Sequence, residues 1–280
     1  MFEAYGLWKE YSRNVVALKN VTLRIVRKGI NVLLGPNGSG KTTLLKLWLG
    51  FLRPTKGYVR VFDRDPWREW HFIRRTVSSY LEDYGVVPWR KGIEIARAFS
   101  KASDTSWQRI REYASMFGVD EYWHRVVASY STGMLKRLKL VLALSRECDA
   151  YVLDEPYSGL DKHSIDLLNE VLTKISQNAI IVIATHQVEK LVPESLVSVA
   201  VLVNGELKMF VERGSSTLYT YECPRDYVFH DLLPKIERLE LKNLRVVGNR
   251  ILVSVSKPLN VNLCRAVLDP EEIYREALQR

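Results

Sequence analysis

Residues 30–49 read INVLLGPNGSGKTTLLKLWL, an apolar run, a glycine-rich turn and an amphipathic run joined without a break. Residues 30–34 are apolar toward both faces, as in a buried strand of a parallel sheet. Residues 41–49 carry helical spacing that stops at Gly50 and, further on, at Pro54. Between them Gly35, Pro36, Asn37, Gly38, Ser39, Gly40, Lys41 and Thr42 fit the phosphate-loop pattern in its required setting of strand, turn and helix. The glycines let backbone N–H groups curl toward phosphates, and the helix N-terminus adds positive potential. Lys41 is placed to reach β- and γ-phosphates and the Thr42 hydroxyl to ligate Mg²⁺. A glycine-rich turn with a chance lysine would leave the flanking elements unexplained.

Downstream, residues 151–153 form another short apolar run that ends in Asp154-Glu155. Carboxylates at the C-terminal end of a buried parallel strand lie where open α/β sheets bind ligands. There Asp154 can hold Mg²⁺ through water, and Glu155 can polarise an attacking water or take its proton. His186 follows the apolar run 180–184 and so emerges on the same sheet edge, suited to a hydrogen bond with a terminal phosphate. His71, His124, His163 and His230 have no such placement and read as structural or surface residues.

The rest of the chain alternates in the same way. Strands are expected at residues 21–26, 58–62 and 76–81, then helices at 93–102 and 104–117, with Asp104 as an N-cap and Gly118 as a stop. These two helices form an insertion between strands. The rhythm resumes with helix 133–146, strand 151–153, helix 162–176 and strand 179–184. Asn204-Gly205 between residues 199–203 and 206–211 is a two-residue hairpin signal. The alternation argues for a layered α/β fold around a mostly parallel sheet. The run Arg213-Gly214-Ser215-Ser216-Thr217 reads as a boundary. Beyond it lie a hairpin at 244–255 turning at Gly248-Asn249 and a last helix capped by Asp269-Pro270, a small α+β appendage.

The 280 residues are 47% hydrophobic and 26% charged, ordinary for a globular chain with a real core. No stretch approaches the roughly 18 apolar residues of a membrane span, and the N-terminus lacks the pattern of a secretory signal. A soluble, cytoplasmic chain is therefore expected. Cys148, Cys223 and Cys264 are too few and scattered for a disulfide framework or a zinc site. The net charge of +9 suits nucleic acid, an anionic membrane face or nucleotide phosphates equally, and it is spread without a basic block.

Taken in order, these motifs resemble the ATP-binding subunit of an ATP-binding cassette (ABC) transporter, over residues 1 to about 212. The resemblance implies a P-loop NTPase core of ABC ATPase type, with a mixed sheet and a helical subdomain at about 84–148, followed by an accessory domain at 213–280. Lys41, Thr42 and Thr43 match the phosphate-loop positions, and Tyr11 the aromatic that stacks on adenine. Asp154 matches the magnesium-site aspartate, Glu155 the catalytic glutamate, Asp161 the D-loop aspartate and His186 the switch histidine. Ser131 and Gly133 match the signature that meets the partner subunit's nucleotide across a head-to-tail dimer. ATP and Mg²⁺ are the cofactors implied. A homodimer or heterodimer of ATPase subunits and a separate integral-membrane permease are the implied partners, with the chain peripheral on the inner face of the cell membrane.

Two departures stand out. The signature reads YSTGM, with Thr132 and Met134 in place of a glycine and a glutamine. The Q-loop glutamine, expected after residues 76–81, is Glu82, whose carboxylate can still ligate Mg²⁺. Both resemble a subgroup paired with small export-type permeases. Tyr84, Val86, Val87 and Trp89 either line a groove for a helix of the permease or belong to the core of the insertion. The alternative reading is a soluble ABC ATPase acting on nucleic acid or ribosomes. Such relatives carry coiled coils, metal-binding cysteines or two cassettes, and no specific nucleic acid is expected here.

Overall fold

The computed structural model describes residues 1–11, 15–83, 86–192, 195–213, 219–224, 241–247, 250–255, 265–267, 273–274 and 277–278. The chain opens with two long antiparallel strands, β1 (Phe2–Tyr11) and β2 (Val15–Ile25), and then enters the central sheet with β3 (Gly29–Leu34). The phosphate-loop turn leads into α1 (Lys41–Trp48), and β4 (Lys56–Val61) returns to pair with β1. A short helix α2 (Trp70–Thr76) precedes β5 (Val77–Tyr80). The insertion follows as α3 (Gly92–Ser103) and α4 (Trp107–Met116), then α5 (Thr132–Leu144), β6 (Ala150–Asp154), α6 (Lys162–Ser176) and β7 (Ile180–Thr185). The hairpin β8 (Leu196–Val203) and β9 (Glu206–Glu212) closes this part.

The central sheet runs β5-β6-β7-β3-β8-β9. Its first five strands are parallel, and β9 pairs antiparallel on the edge. The Asn204-Gly205 turn makes that edge hairpin, with φ of 50° and 83° as a primed turn requires. Successive residues of the central strands feed two separate cores, because side chains alternate across a sheet. Val32, Leu34, Leu153, Ile181 and Ile183 pack toward α5 and α6. Leu33, Val152, Val182 and Ala184 pack toward α1 and the antiparallel sheet β2-β1-β4. On that second side Trp48 is fully buried, its ring 5.4 Å from that of Phe2 and its indole N–H donated to Glu3 O at 2.9 Å.

Several expected elements are displaced. Residues 2–11 form a complete strand ahead of the first one expected, at 21–26, and Tyr11 ends it. The register of β1 against β2 shifts after Ala4, where Gly6 takes a positive φ of 52°, and this breaks the apolar alternation that marks a strand. Asp104 is not the N-cap of α4. It closes α3 in the left-handed region at φ 55°, which a short polar side chain tolerates, and Ser106 takes the N-cap position. Gly118 does stop α4, at φ 63°.

After residue 213 a second antiparallel sheet runs β11-β12-β10-β13, from β10 (Tyr219–Pro224), β11 (Leu241–Val247), β12 (Arg250–Val255) and β13 (Arg265–Val267). The expected hairpin is β11-β12, although its Gly248-Asn249 turn lies outside the described residues. The Gly214–Thr217 part of the expected boundary and the Asp269-Pro270 cap also lie outside them. Ile273 and Ala277 are helical and buried in the core of the central sheet, so the C-terminal end packs back onto the first part of the chain.

Candidate functional site

Parallel pairing brings three strand ends to one edge. Leu34 of β3 is level with Thr185 of β7, and Asp154 of β6 with Ala184 of β7. The turn that leaves β3 and the Asp154-Glu155 end of β6 therefore border a common cleft. The cleft has a volume of about 380 Å³ and is lined by Asn37 to Thr43, Ala17, Glu82, Asp83, Asp154 and Glu155.

The phosphate-loop turn is held open by its glycines. Gly40 has φ 101°, and a Cβ there would lie 2.5 Å from Ala17 O, so no side chain fits. Around Gly38, at φ 79°, there is open space. Lys41 is buried and donates to Gly35 O at 2.8 Å and Pro36 O at 3.2 Å, with Glu155 Oε1 at 3.5 Å. Burial lowers its pKa, and the neighbouring Glu155 carboxylate acts the other way. An ammonium bonded mainly to loop carbonyls is a cation that phosphate oxygens would satisfy better.

Thr42 Oγ1 donates to Asp154 Oδ2 at 2.7 Å. The other oxygen, Asp154 Oδ1, is buried with no hydrogen-bond partner among the described residues. Burial pushes the Asp154 pKa up to about 6, partly opposed by the Thr42 hydrogen bond. A desolvated, half-satisfied carboxylate beside a threonine hydroxyl is the donor set that a hard cation completes. Among the described residues no three His, Cys or acidic side chains cluster as a metal site.

Glu155 sits at φ 48°, with its N–H donated to Ala184 O at 2.8 Å, so the backbone turns its side chain back into the cleft. Its Oε2 accepts from Thr185 Oγ1 at 3.0 Å, and its Oε1 lies 2.9 Å from His186 Nδ1. His186 and Glu155 are thus a contacting pair, and Thr185 steadies the carboxylate from the end of an otherwise apolar strand. Tyr11 is partly exposed at the rim, its hydroxyl 3.2 Å from Thr43 Oγ1 and its ring 5.3 Å from Lys9 Nζ.

Ser131 and Gly133 lie elsewhere, at the N-terminus of α5. Ser131 is exposed and accepts the Met134 N–H at 3.2 Å as the helix N-cap. Asp161 is likewise exposed and caps α6 by accepting the Ser164 N–H at 2.8 Å, which holds its carboxyl below the usual range. The two turns adjoin, since a Cβ on Gly133 would lie 3.7 Å from Gly159 O. They form one face, with Ser131 and Asp161 exposed, that is not part of the lining of the cleft above. Glu82 lines the cleft, but its Oε1 is bound by Lys136 Nζ at 2.6 Å. Trp89 is 74% exposed and Val87 43%, so neither is a core residue, whereas Val86 packs against the core; Tyr84 lies outside the described residues.

Asp83 was not expected in the cleft; it accepts from Lys46 at 3.0 Å. Lys136 and Thr185 were not expected either. A buried polar residue ending the apolar run 180–184 was the available signal for Thr185.

The family model described as ABC transporter matches residues 18–158. The bacitracin transport ATP-binding protein BcrA of Enterococcus faecalis is 31% identical over 63% of this chain and 57% of its own length. The daunorubicin/doxorubicin resistance ATP-binding protein DrrA of Streptomyces peucetius is 30% identical over 66% of this chain, again 57% of its own length. The taurine import ATP-binding protein TauB of Yersinia pestis is 30% identical over 69% of this chain and 76% of its own. The matches thus span little more than half of the first two relatives. A solved structure of an ATP-binding subunit of an ABC transporter superposes with a TM-score of 0.67 at 24% identity, over 76% of this chain and 90% of that one. The matched cassette includes the phosphate loop and the Asp154-Glu155 strand end, and the chain belongs to the ABC transporter family as an ABC ATPase cassette.

Proposed function

We propose that the chain binds ATP with Mg²⁺, pairs with a second cassette and hydrolyses ATP to drive a separate integral-membrane permease, in the direction of export. The observation that carries the ATP site is the Thr42–Asp154 pair with its unsatisfied Asp154 Oδ1, set beside the Lys41 loop. Lys41 and the amides of Gly38 to Thr43 would hold the phosphates, Thr42 and Asp154 the metal, with Glu82 within reach of the same cleft. The metal supplies charge neutralisation on the phosphates. Glu155, steadied by Thr185 and His186, would accept the proton of the attacking water as general base. Tyr11 would carry the adenine on its ring.

Pairing is supported by Ser131, Gly133 and Asp161, which lie outside the cleft lining, Ser131 and Asp161 exposed. A serine hydroxyl at a helix N-terminus is suited to a partner's γ-phosphate. ATP that touches both subunits stabilises the closed pair, and hydrolysis removes that differential contact. The exposed Val87 and Trp89 offer an apolar surface for a permease helix. Among the described residues no helix is long and apolar enough to cross a membrane.

Export is supported by the drug resistance in the name of DrrA, together with Glu82 and the YSTGM signature, which resemble the export-type subgroup; the BcrA name gives transport without a direction. The TauB name supports import. Purification of the intact complex from membranes and reconstitution into liposomes with the cassettes outward separates the two. ATP added outside should drive substrate into the lumen. Substrate leaving the lumen would overturn export, and repeated recovery of ribosomes or nucleic acid without a membrane protein would overturn the transporter reading.

A further inference from the structure

Lys136 lies on α5 five residues after the Ser131 cap, and its side chain is only 10% exposed. A buried ammonium needs all three of its protons satisfied. Here they go to Glu82 Oε1 at 2.6 Å, Ser158 O at 3.0 Å and Ser158 Oγ at 3.2 Å. One side chain therefore ties the cleft-lining Glu82 to the helix that carries Ser131 and to the 158–161 turn that carries Asp161. Gly159, at φ 70°, sits directly over it, and a Cβ there would meet only Lys136 Nζ and Cδ. The neighbouring Lys139 donates to Glu82 O at 2.8 Å, so both backbone and side chain of Glu82 are fastened to α5.

Glu82 is also one of four carboxylates around the cleft, with Asp83, Asp154 and Glu155. In that company it is drawn toward any divalent cation bound at Thr42 and Asp154, and charge shared with that cation weakens its ion pair with Lys136, which holds Oε1. We infer that Lys136 is a positioning residue that holds the cleft-lining Glu82 carboxylate back from the Thr42–Asp154 pair, and that Mg²⁺-nucleotide, by competing for the Glu82 carboxylate, loosens the tie to the Ser131 and Asp161 turns. This rests on the nucleotide reading above. It gives a carboxylate at position 82 a consequence that a neutral side chain would lack: the exposed face becomes sensitive to the metal and not to the nucleotide alone.

The test is a binding cycle without turnover. ADP affinity is measured by titration calorimetry with Mg²⁺ and with EDTA, for wild type, Lys136→Met, Glu82→Gln and the double variant. Freeing a full negative charge beside a divalent ion is worth on the order of tenfold in affinity. Lys136→Met should therefore raise the preference for Mg²⁺-ADP over metal-free ADP by about tenfold. In the Glu82→Gln background the same change should have less than about a twofold effect. An equal shift in both backgrounds would mean a merely structural lysine, and no shift in either would also overturn the inference. Wild type supplies a second readout that does not depend on how the variants fold. Hydrogen exchange at residues 131–136 and 158–161 should rise with Mg²⁺-ADP and stay unchanged with ADP in EDTA; an equal response to both would contradict the competition. Failure of wild type to bind ADP would remove the nucleotide reading itself, whereas binding without these differences removes only the role of Lys136.

Discussion

Replacing Asp154 with asparagine should stabilise the empty protein while destroying its response to magnesium. Asp154 is 3% exposed, and burial lifts its pKa from the ordinary 3.8 to about 6. Between these values the folded chain holds a proton that the unfolded chain has released. Stability therefore falls as pH rises through that window and stays reduced above it. The gap corresponds to about 3 kcal/mol at about 1.4 kcal/mol per pKa unit. Asparagine removes that cost, but its NH₂ would occupy the place of Oδ1, which has no partner among the described residues. An unsatisfied buried donor costs about 1–2 kcal/mol. The net expectation at pH 8 is a gain of about 1–2 kcal/mol. At pH 4.5, where wild type is largely protonated in the fold, the gain should be smaller by about 2 kcal/mol. Urea unfolding in EDTA without nucleotide, at both pH values, reads this directly. Excess Mg²⁺-ADP should then reverse the order, since ligand at 100 times its Kd adds about 2.7 kcal/mol to wild type and little to the variant. Equal effects of the substitution at both pH values would refute the assignment of a desolvated, cation-awaiting carboxylate.

Other consequences are simpler to read. Lys41→Ala should weaken ATP binding by about 10–100-fold, the value of a charge-assisted hydrogen bond, measured by equilibrium dialysis with Mg²⁺. Tyr11→Ala should lower adenine-nucleotide affinity by roughly threefold to tenfold and Tyr11→Phe by much less, since about 0.5–1.5 kcal/mol resides in the ring face; equal losses would assign the effect to the hydroxyl that meets Thr43. Trp48→Ala empties the packed site against Phe2 and should cost about 3–5 kcal/mol in guanidinium unfolding, leaving nucleotide affinity of the folded fraction intact.

The parts of the fold read most directly from the chain are those whose pattern is local. The segment 30–49 announces its strand, turn and helix because each has its own periodicity, and residues 162–176 appear as a helix with the expected bounds, starting from the Asp161 cap. The strand β1 stays hidden because the bulge at Gly6 moves its buried side from Phe2 and Ala4 to Leu7, which breaks the period of two. Asp104 misleads because a capping side chain serves either end of a helix when it can enter the left-handed region. Among the cleft residues, Lys41, Thr42, Asp154 and Glu155 are legible because the chemistry fixes their distance from strand ends. Lys136 is not legible. A single lysine on an amphipathic helix normally points to solvent, and only tertiary packing shows that this one is buried against Glu82 and Ser158.

The central claim is that Glu155 drives hydrolysis at a site completed by a second copy or a related cassette. Glu155→Gln keeps the shape of the Thr185 and His186 contacts and removes the base, so turnover should fall by about 10²–10⁴-fold while ATP binding persists. Sedimentation velocity of this variant with Mg²⁺-ATP should show a stable dimer that reverts to monomer when ATP is replaced by ADP. For a cassette that pairs only with a different one, the dimer should form on adding that partner. Undiminished hydrolysis would contradict the account, as would a chain that binds ATP yet stays monomeric with every cassette co-purified from its membrane complex.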